Sequence, residues 1–450
     1  MTENKRSGFT GKIGFVLAAA GSAVGLGNIW RFPYLAAKYG GGIFLLVYFI
    51  LLVTFCFSIM IGEFALGRKT GLSAMGAFEK LNKKYAFIGY LAALVPAIIL
   101  PYYSVIGGWV TKYLFTFLSG DVAGAAGDAY FTGFITAPIE PVVWFLLYVT
   151  VTAVVVMLGV EKGIEKVSKV MMPVLVVLAV IIAGYVVTRE GAMEGVKYYL
   201  LPDFSKFSIT TVLAAMGQLF YSTSLAMGIM ITYGSYMKKD VNMESSVKQV
   251  EWFDTGIAFI AGLMIVPAVF AFSGPENLGK GPGLMFITLP KVFESMAGGR
   301  IIGILFFLLV LFAALTSSIS LMETVVSSLC DKFKLKRTAS CIITYVGSII
   351  VGLLSLFGYS IWSNFTIIGL QLLDFFDFIS NSILIPVVAF LTCIFIGYVI
   401  KPQAIIDEVE LSGKFKKKKL FVVVTKYIAP IFILLILTTS VLEALGKFSI

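Results

Sequence analysis

A long apolar segment near the start of the chain is interrupted by the run GSAVGLGN at residues 21–28, and IWRFP follows at residues 29–33. Lipid offers no hydrogen-bond partners to the backbone, so an apolar span should be an unbroken helix. Three glycines, an asparagine and Arg31 at that depth are costly unless they line a cavity. A second interruption, YSTSLAMG, follows at residues 221–228. Paired breaks of this kind indicate a binding site shared by two halves of the chain.

A break in a helix exposes two kinds of backbone group. The half-helix that begins at the gap offers unpaired N–H groups and the positive end of a dipole, which suit a carboxylate. The half-helix that ends there offers unpaired C=O groups, which suit an ammonium group or a sodium ion. Two such breaks side by side could therefore bind both ends of a zwitterionic amino acid with few charged side chains.

The composition places these breaks in an integral membrane protein. Of 450 residues, 59% are hydrophobic and 13% are charged, whereas a soluble domain carries about 25% charged residues. Apolar segments of roughly 20 residues recur along the chain, and they predict an all-α fold with eleven transmembrane helices. The predicted spans cover residues 13–36, 43–67, 87–118, 142–159, 170–188, 210–236, 250–273, 301–329, 339–359, 376–400 and 427–446.

Charge and cysteine usage narrow the function classes. The net charge of +10 comes from basic residues in alternate loops, which is not the pattern of a nucleic-acid-binding surface. With the N-terminus in the cytoplasm, most of the 35 Lys and Arg residues face inward, as the positive-inside rule requires, and eleven spans then place the C-terminus outside. The chain has no histidine, and its 4 cysteines have no metal-binding spacing, so zinc sites and histidine-based catalysis are not expected.

The two breaks also suggest an internal repeat within a single domain over residues 1–450. Spans one to five, residues 13–188, and spans six to ten, residues 210–400, would form the two repeats. Because each repeat has an odd number of spans, the second is inverted relative to the first, in a 5+5 arrangement with helices one and six broken. Residues 427–446 would form an extra helix.

The residues around both breaks resemble those of a known family. The run at 21–28, continued by WRFP at 30–33 and GGG at 40–42, resembles the first-helix signature of the neurotransmitter:sodium symporters, in particular their bacterial members. The resemblance continues over most of the chain. It includes Glu63 before Gly67-Arg68, YY at 102–103, Gln218, YGSY at 233–236 and AALTSS at 313–318.

The resemblance implies two sodium sites and no organic cofactor. The first site would use the carbonyl of Ala23, the side chains of Asn28, Ser222 and Asp254, and the carboxylate of the substrate. The second would use the carbonyls of Gly21, Val24 and Ala313 and the hydroxyls of Thr316 and Ser317. Sodium is a hard cation that prefers oxygen ligands, as calcium and magnesium do. The alternative for an isolated hydroxyl in a span is a bond back to its own helix or to a neighbouring one.

The resemblance also places an amino-acid substrate between the breaks. Its carboxylate would meet the N–H groups of Leu26 and Gly27 and the Tyr103 hydroxyl. Its ammonium group would meet the Ser224 hydroxyl and nearby carbonyls. The full predicted substrate-binding set is Ala23, Leu26, Gly27, Ile99, Tyr103, Ile106, Tyr221, Ser222, Ser224, Met227, Ser317 and Leu321.

Two charge pairs would gate the site. Arg31 with Asp377 would close the outward side, and Arg6 with Asp331 would close the inward side. A wet ion pair has a small net energy, which suits a contact that forms and breaks. The alternative for these residues is that they are ordinary interfacial charges.

Asp254 stands where many members of this family have asparagine. Its carboxylate would supply a fixed negative charge beside the first sodium ion, so we expect transport that does not need chloride. The surrounding positions Tyr48, Gln218 and Ala258 would then hold no anion.

The predicted function is sodium-coupled import of amino acids, with hydrophobic or aromatic ones as the expected substrates, by alternating access across the cytoplasmic membrane. The expected partners are the substrate and the lipid bilayer, with the chain as a monomer or weak homodimer and no nucleic acid.

An amino-acid sensor of the same fold, which binds without net transport, is the first alternative. An ion channel would build selectivity from symmetric rings of carbonyls or charges. An intramembrane enzyme would need a base for its nucleophile, and the chain has no histidine.

Overall fold

The computed structural model describes residues 8–272 and 282–444, and within these ranges the chain is almost wholly helical. In chain order the helices are α1 (Lys12–Ala23), α2 (Gly27–Lys38), α3 (Gly42–Thr70), α4 (Ala74–Leu81), α5 (Lys83–Ser119), α6 (Val122–Ala125), α7 (Tyr130–Thr136), α8 (Glu140–Met157), α9 (Val160–Val187) and α10 (Ala192–Leu200). They continue with α11 (Ile209–Ser222), α12 (Ile229–Ser235), α13 (Met243–Phe272), α14 (Leu289–Ser295), α15 (Gly299–Phe333), α16 (Arg337–Phe357), α17 (Leu372–Val399), α18 (Lys401–Glu410) and α19 (Lys418–Leu442). Short turns of other helical types cover Phe204–Lys206 and Leu284–Thr288.

The first predicted span consists of two helices. α1 ends at Ala23 and α2 begins at Gly27, and their axes differ by 58°. Val24 leaves the helix because its backbone is extended, with φ −72° and ψ 99°. The predicted break in the first helix is therefore confirmed.

The second predicted break lies between α11 and α12. In this connection Ser224, Ala226 and Gly228 have positive φ angles of 53°, 59° and 70°. Two of these residues carry side chains, for which a left-handed backbone costs about 1–3 kcal/mol each. Such a conformation persists only where the surrounding structure holds it, and strain of this kind is typical of ligand sites.

The part of the chain that the structure describes shows fewer membrane-length helices than the eleven spans that the sequence predicts. Among the described residues, 9 unbroken helices are long and apolar enough to cross a membrane, and the bent pair α1–α2 makes up to 10. The sixth predicted span, residues 210–236, is found as α11, which has 14 residues, and the shorter α12. Residues 445–446 of the last predicted span lie outside the described residues.

The broken segments lie in the interior of the bundle. α1 packs against α9, α13 and α15, and α12 packs against α3 and α15. Small residues permit this closeness, since a Cβ added at Gly67 of α3 would lie 1.8 Å from the carbonyl oxygen of Ile231 in α12. Residues 21–30 and 222–234 are all buried. The groups exposed by the breaks therefore face protein rather than lipid.

Polar contacts tie the bundle together at the side where α1 begins, which we call the N-terminal face. The N–H of Thr10 donates to Glu165 Oε2 at 2.8 Å, and Lys238 Nζ donates to the Thr10 carbonyl at 2.8 Å. Arg68 and Glu408 form a buried ion pair at 2.9 Å. The Thr10 contact holds the start of α1 against α9, and the ion pair joins α3 to α18.

Candidate ligand-binding site between the broken helices

A buried cavity of about 40 Å³ lies between the two breaks. It lies where the α1–α2 break, the α11–α12 break, α5 and α15 meet. All but one of the predicted substrate-binding residues line it: Ala23, Leu26, Gly27, Ile99, Tyr103, Tyr221, Ser222, Ser224, Met227, Ser317 and Leu321. Four further residues complete the lining: Ser22, Gly25, Asn28 and Ile229. The remaining predicted residue, Ile106, lines a neighbouring cavity instead.

Side chains pair with the backbone N–H groups of the first break. The N–H of Gly25 donates to Asn28 Oδ1 at 3.1 Å, and the N–H of Leu26 donates to the Tyr103 hydroxyl at 3.2 Å. A Cβ at Gly27 would lie 2.4 Å from ring carbons of Tyr221, so a larger residue there would displace that ring. The main chain of the break therefore comes close to both tyrosines, at the place where a carboxylate is expected.

Carbonyl and hydroxyl oxygens gather on the other side of the first break. Ser317 Oγ of α15 lies 3.4 Å from the Gly21 carbonyl oxygen, 3.1 Å from that of Ser22 and 3.3 Å from that of Val24. Neutral oxygens that converge in this way are the type of ligand that hard cations take. Three of the five predicted ligands of the second sodium site are thus brought together.

The other two predicted ligands of that site lie alongside. The Thr316 hydroxyl donates to the carbonyl oxygens of Phe312 at 3.0 Å and Ala313 at 3.1 Å, within its own helix. A Cβ added at Gly21 would lie 3.1 Å from Thr316 Cβ, so the start of the break touches this residue. The Thr316 hydroxyl oxygen that bonds back to its own helix is also the predicted sodium ligand. This residue lies next to the first break.

Asp254 of α13 is the centre of a second polar cluster. Its side chain has no exposed surface. Asn28 Nδ2 donates to Asp254 Oδ1 at 2.7 Å, and the Ser222 hydroxyl donates to Oδ2 at 3.3 Å. Both partners are neutral, and a buried carboxylate is stable as an anion only when it is paired or coordinates a cation. Of the four predicted protein ligands of the first sodium site, Ala23, Asn28 and Ser222 line the cavity, and Asp254 contacts the last two.

The predicted anion positions have protein partners. The Tyr48 hydroxyl lies 3.2 Å from Ser222 Oγ, and Gln218 Nε2 donates to the Gly27 carbonyl at 3.0 Å. Ala258, the third of these positions, is fully buried. The polar groups that would have to face an anion are therefore turned towards other protein groups.

Glu63 of α3 holds the second break in place, a role that the sequence analysis does not assign to it. Its Oε1 accepts a hydrogen bond from the strained Ala226 N–H at 2.8 Å. The Ser224 hydroxyl, two residues earlier, donates to the Ser22 carbonyl at 2.9 Å and so links the two breaks. The signal that could have identified Glu63 is its charge, since an ionisable residue within an apolar span indicates a functional site.

A second cavity, of about 320 Å³, lies beyond Tyr221 on the side away from the N-terminal face. Arg31 and Asp377 both line it, as do Tyr221 and Ile106. The Arg31 guanidinium lies over the Tyr221 ring, 5.1 Å from its centroid, and Asp377 Oδ1 accepts a hydrogen bond from Asn381 at 2.7 Å. The two predicted gate residues share this cavity, but each has another partner and they do not form an ion pair with one another.

The predicted gate at the N-terminal face is only partly described. Asp331 Oδ2 accepts a hydrogen bond from the N–H of Ser73 at 2.7 Å. Its predicted partner, Arg6, lies outside the described residues. Phe9 closes this region, with its ring centroid 5.6 Å from those of Phe15 and Tyr233.

The chain matches known proteins over nearly its whole length. The model of the Sodium:neurotransmitter symporter family matches residues 6–133 and 135–447. This chain belongs to that family. It is 34% identical over 444 residues to an uncharacterized sodium-dependent transporter, YhdH, of Bacillus subtilis, with 97% of this chain and 98% of the relative covered. It is 27% identical over 459 residues to the sodium- and chloride-dependent taurine transporter of Rattus norvegicus, with 90% and 73% covered.

A solved structure shows the same fold. The crystal structure of MhsT in complex with L-phenylalanine superimposes with a TM-score of 0.87 and 38% sequence identity, covering 98% of this chain and 100% of that one. The predicted family is thus confirmed. As a member of a family of sodium-dependent transporters, the symporter described here is a multi-pass membrane protein and not an enzyme, as predicted.

We expect Glu63→Ala to destabilise the symporter, while Glu63→Gln retains most of its stability. Alanine leaves the buried Ala226 N–H without an acceptor, which costs about 1–3 kcal/mol, whereas the glutamine carbonyl oxygen can still accept. The measurement is the thermal unfolding midpoint of each purified variant in detergent. Equal midpoints for the two variants would contradict the role assigned to this hydrogen bond.

Proposed function

We propose that this symporter imports amino acids together with sodium ions by alternating access. The observation that carries the proposal is the buried Asp254 carboxylate, whose hydrogen-bond partners Asn28 and Ser222 are neutral and adjoin the cavity between the breaks. A cation beside this carboxylate would pair with its charge. A sodium ion there would be within reach of a substrate carboxylate, so one binding event would favour the other.

The substrate class follows from the groups that face the cavity. The Leu26 N–H and the Tyr103 hydroxyl, 3.2 Å apart, would both turn to a carboxylate, together with the Gly27 N–H. The Ser224 hydroxyl and the carbonyls near Ala23 and Tyr221 would accept from an ammonium group. A free α-amino acid carries a carboxylate and an ammonium group on one carbon, which matches these two sets of groups.

The side chain of the substrate would meet an apolar wall. Ile99, Met227 and Leu321 supply it, and methionine adapts its shape to different ligands. The complex of the related MhsT with L-phenylalanine supports hydrophobic or aromatic amino acids as substrates of the present symporter. The proposed substrates are therefore tyrosine, tryptophan, phenylalanine and leucine.

The two sodium ions would have different tasks. The ion at Asp254 and Asn28 would complete the substrate site, because it shares the substrate carboxylate. The ion held by Thr316, Ser317 and the carbonyls of the first break would fix α1 against α15. Its release would free α1 to move and would open the N-terminal face.

The membrane arrangement follows from the same scheme. We place the N-terminal face in the cytoplasm, because basic loops favour that side. α11 and α12 together would form the sixth span, which gives eleven spans, two inverted repeats over residues 13–188 and 210–400, and an extra helix at 427–446. The C-terminus would then lie outside.

Opening and closing would alternate between the two faces. The polar contacts of Thr10 and the pair of Arg68 with Glu408 keep the N-terminal face shut, while Arg31 and Asp377 stand apart in the opposite cavity. Substrate binding would draw Tyr221 and Arg31 inward and close that cavity. Each sodium charge that crosses the membrane contributes about 2.3 kcal/mol per 100 mV.

The proposal is tested by uptake of the twenty amino acids into proteoliposomes with an inward sodium gradient. We expect concentrative uptake of hydrophobic or aromatic amino acids, abolished in Asp254→Ala and Thr316→Ala because each variant removes a sodium ligand. Thr344→Ala is the matched control, since its hydroxyl also bonds to the carbonyl four residues earlier but lies in α16, away from the site. Unchanged sodium dependence in either site variant would remove its ligand assignment, and sodium-dependent binding without counterflow would identify a sensor.

We expect uptake by the unaltered symporter to continue when chloride is replaced by gluconate on both sides of the membrane. The Asp254 carboxylate already supplies the negative charge beside the first sodium ion, and Tyr48 and Gln218 have protein partners. The measurement is the initial uptake rate at fixed sodium concentration. Loss of uptake on removal of chloride would contradict this part of the proposal.

A further inference from the structure

An apolar groove of about 530 Å³ lies on the outside of the bundle, in the half next to the N-terminal face. Met75 of α4, Phe87, Leu94 and Ala97 of α5, and Leu329 of α15 line it. Its volume falls in the range of sites for small organic ligands, roughly 300–1,000 Å³. It is separate from the site between the breaks.

The shape of the groove suits a long, thin apolar group. Phe87, Tyr90 and Leu94 form an exposed wall, with 47%, 38% and 44% of their surface accessible, whereas the floor at Ala93 is only 3% exposed. Residues 87–97 are helical and extend for about 15 Å at 1.5 Å per residue. That length equals half of a hydrocarbon core about 30 Å thick, which is one leaflet of the bilayer.

Positive charge surrounds the end of the groove at the N-terminal face. Lys332 Nζ lies 2.7 Å from Glu79 Oε2 and 5.2 Å from the centroid of the Tyr90 ring. Lys83 begins α5, four residues before Phe87, and Lys334 directly follows the last residue of α15. The hydrogen bond from Lys332 lowers the pKa of Glu79, and the charges of Lys83 and Lys334 lower it further. Lys83, Lys332 and Lys334 outnumber the carboxylates of Glu79 and Asp331, so this end of the groove has more basic than acidic side chains where it meets the membrane surface.

We propose that the groove binds one acyl chain of an anionic phospholipid, whose phosphate lies at Lys83 and Lys334. The apolar groove selects for an acyl chain, and its basic end selects for a negatively charged headgroup. A lipid that merely surrounds the protein would need neither a recessed floor nor the lysines.

Such a lipid would act on the N-terminal face. Ser73 lies directly before α4, and its N–H donates to Asp331 near the end of α15, so this contact joins two elements that border the groove. A lipid packed against both helices would hold them together. Occupation of the groove would therefore stabilise the state in which the N-terminal face is closed.

The test is native mass spectrometry of the full chain released from membranes that contain equal amounts of phosphatidylglycerol and phosphatidylcholine. We expect phosphatidylglycerol to be retained in several-fold excess by the unaltered protein. Ala97→Trp, which fills the groove, and the double variant Lys83→Gln/Lys334→Gln, which removes exposed charge only, should each lower that excess several-fold. Phosphatidylglycerol should also raise the thermal unfolding midpoint of the unaltered protein but not of these variants.

Two matched controls separate the groove from the general surface. Val154→Trp places the same bulk on α8, where the valine is 54% exposed, and Lys162→Gln/Lys166→Gln removes two exposed charges near the start of α9. Both should behave as the unaltered protein does. Equal retention of the two lipids by the unaltered protein, or the same loss in the controls as in the groove variants, would overturn the proposal.

Discussion

The main chain of two interrupted helices must find hydrogen-bond partners in the interior of a membrane protein, where lipid supplies none. The structure meets this constraint with side chains from neighbouring helices. Asn28 and Tyr103 accept from the N–H groups of the first break, and Glu63 accepts from the strained Ala226 of the second. The neighbouring helices lie close enough for these side chains to reach the N–H groups of the breaks.

The same partners bring the two breaks together. The Ser224 hydroxyl and the Ser317 hydroxyl both reach the Ser22 carbonyl, so the second break, α15 and the first break meet at a single oxygen. Asp254 adds a buried carboxyl group on the other side. No basic side chain is among the described residues that line the cavity, and the chain belongs to the Sodium:neurotransmitter symporter family.

The sequence predicted the breaks well because their signals are local. Glycines and small polar residues weaken a helix inside an apolar span and are costly against lipid, and both breaks lie at the residues expected. The length of the sixth span could not be read in this way, because an apolar run does not reveal where a helix stops. α11 ends at Ser222, and the connection to α12 depends on a hydrogen bond to Glu63, which is 163 residues distant in the chain.

Side-chain orientation was harder to predict than helix position. Ile99, Tyr103 and Ile106 follow a helical spacing on α5, but Ile106 lies almost one turn beyond Tyr103 and faces the outer cavity past Tyr221. Arg31 and Asp377 line the same cavity without pairing with each other. Each has another partner, Tyr221 or Asn381, and a residue pattern does not show which of several partners a charged side chain takes.

We propose that exposed main-chain groups of the first break bind the substrate carboxylate. An experimental structure with sodium and a bound amino acid tests it most directly. We predict carboxylate oxygens at hydrogen-bond distance, about 2.7–3.2 Å, from the N–H groups of Leu26 and Gly27, with a cation between the carboxylate and Asp254. A carboxylate held instead by the Arg31 guanidinium in the outer cavity, with Leu26 still bonded to Tyr103, would contradict the claim.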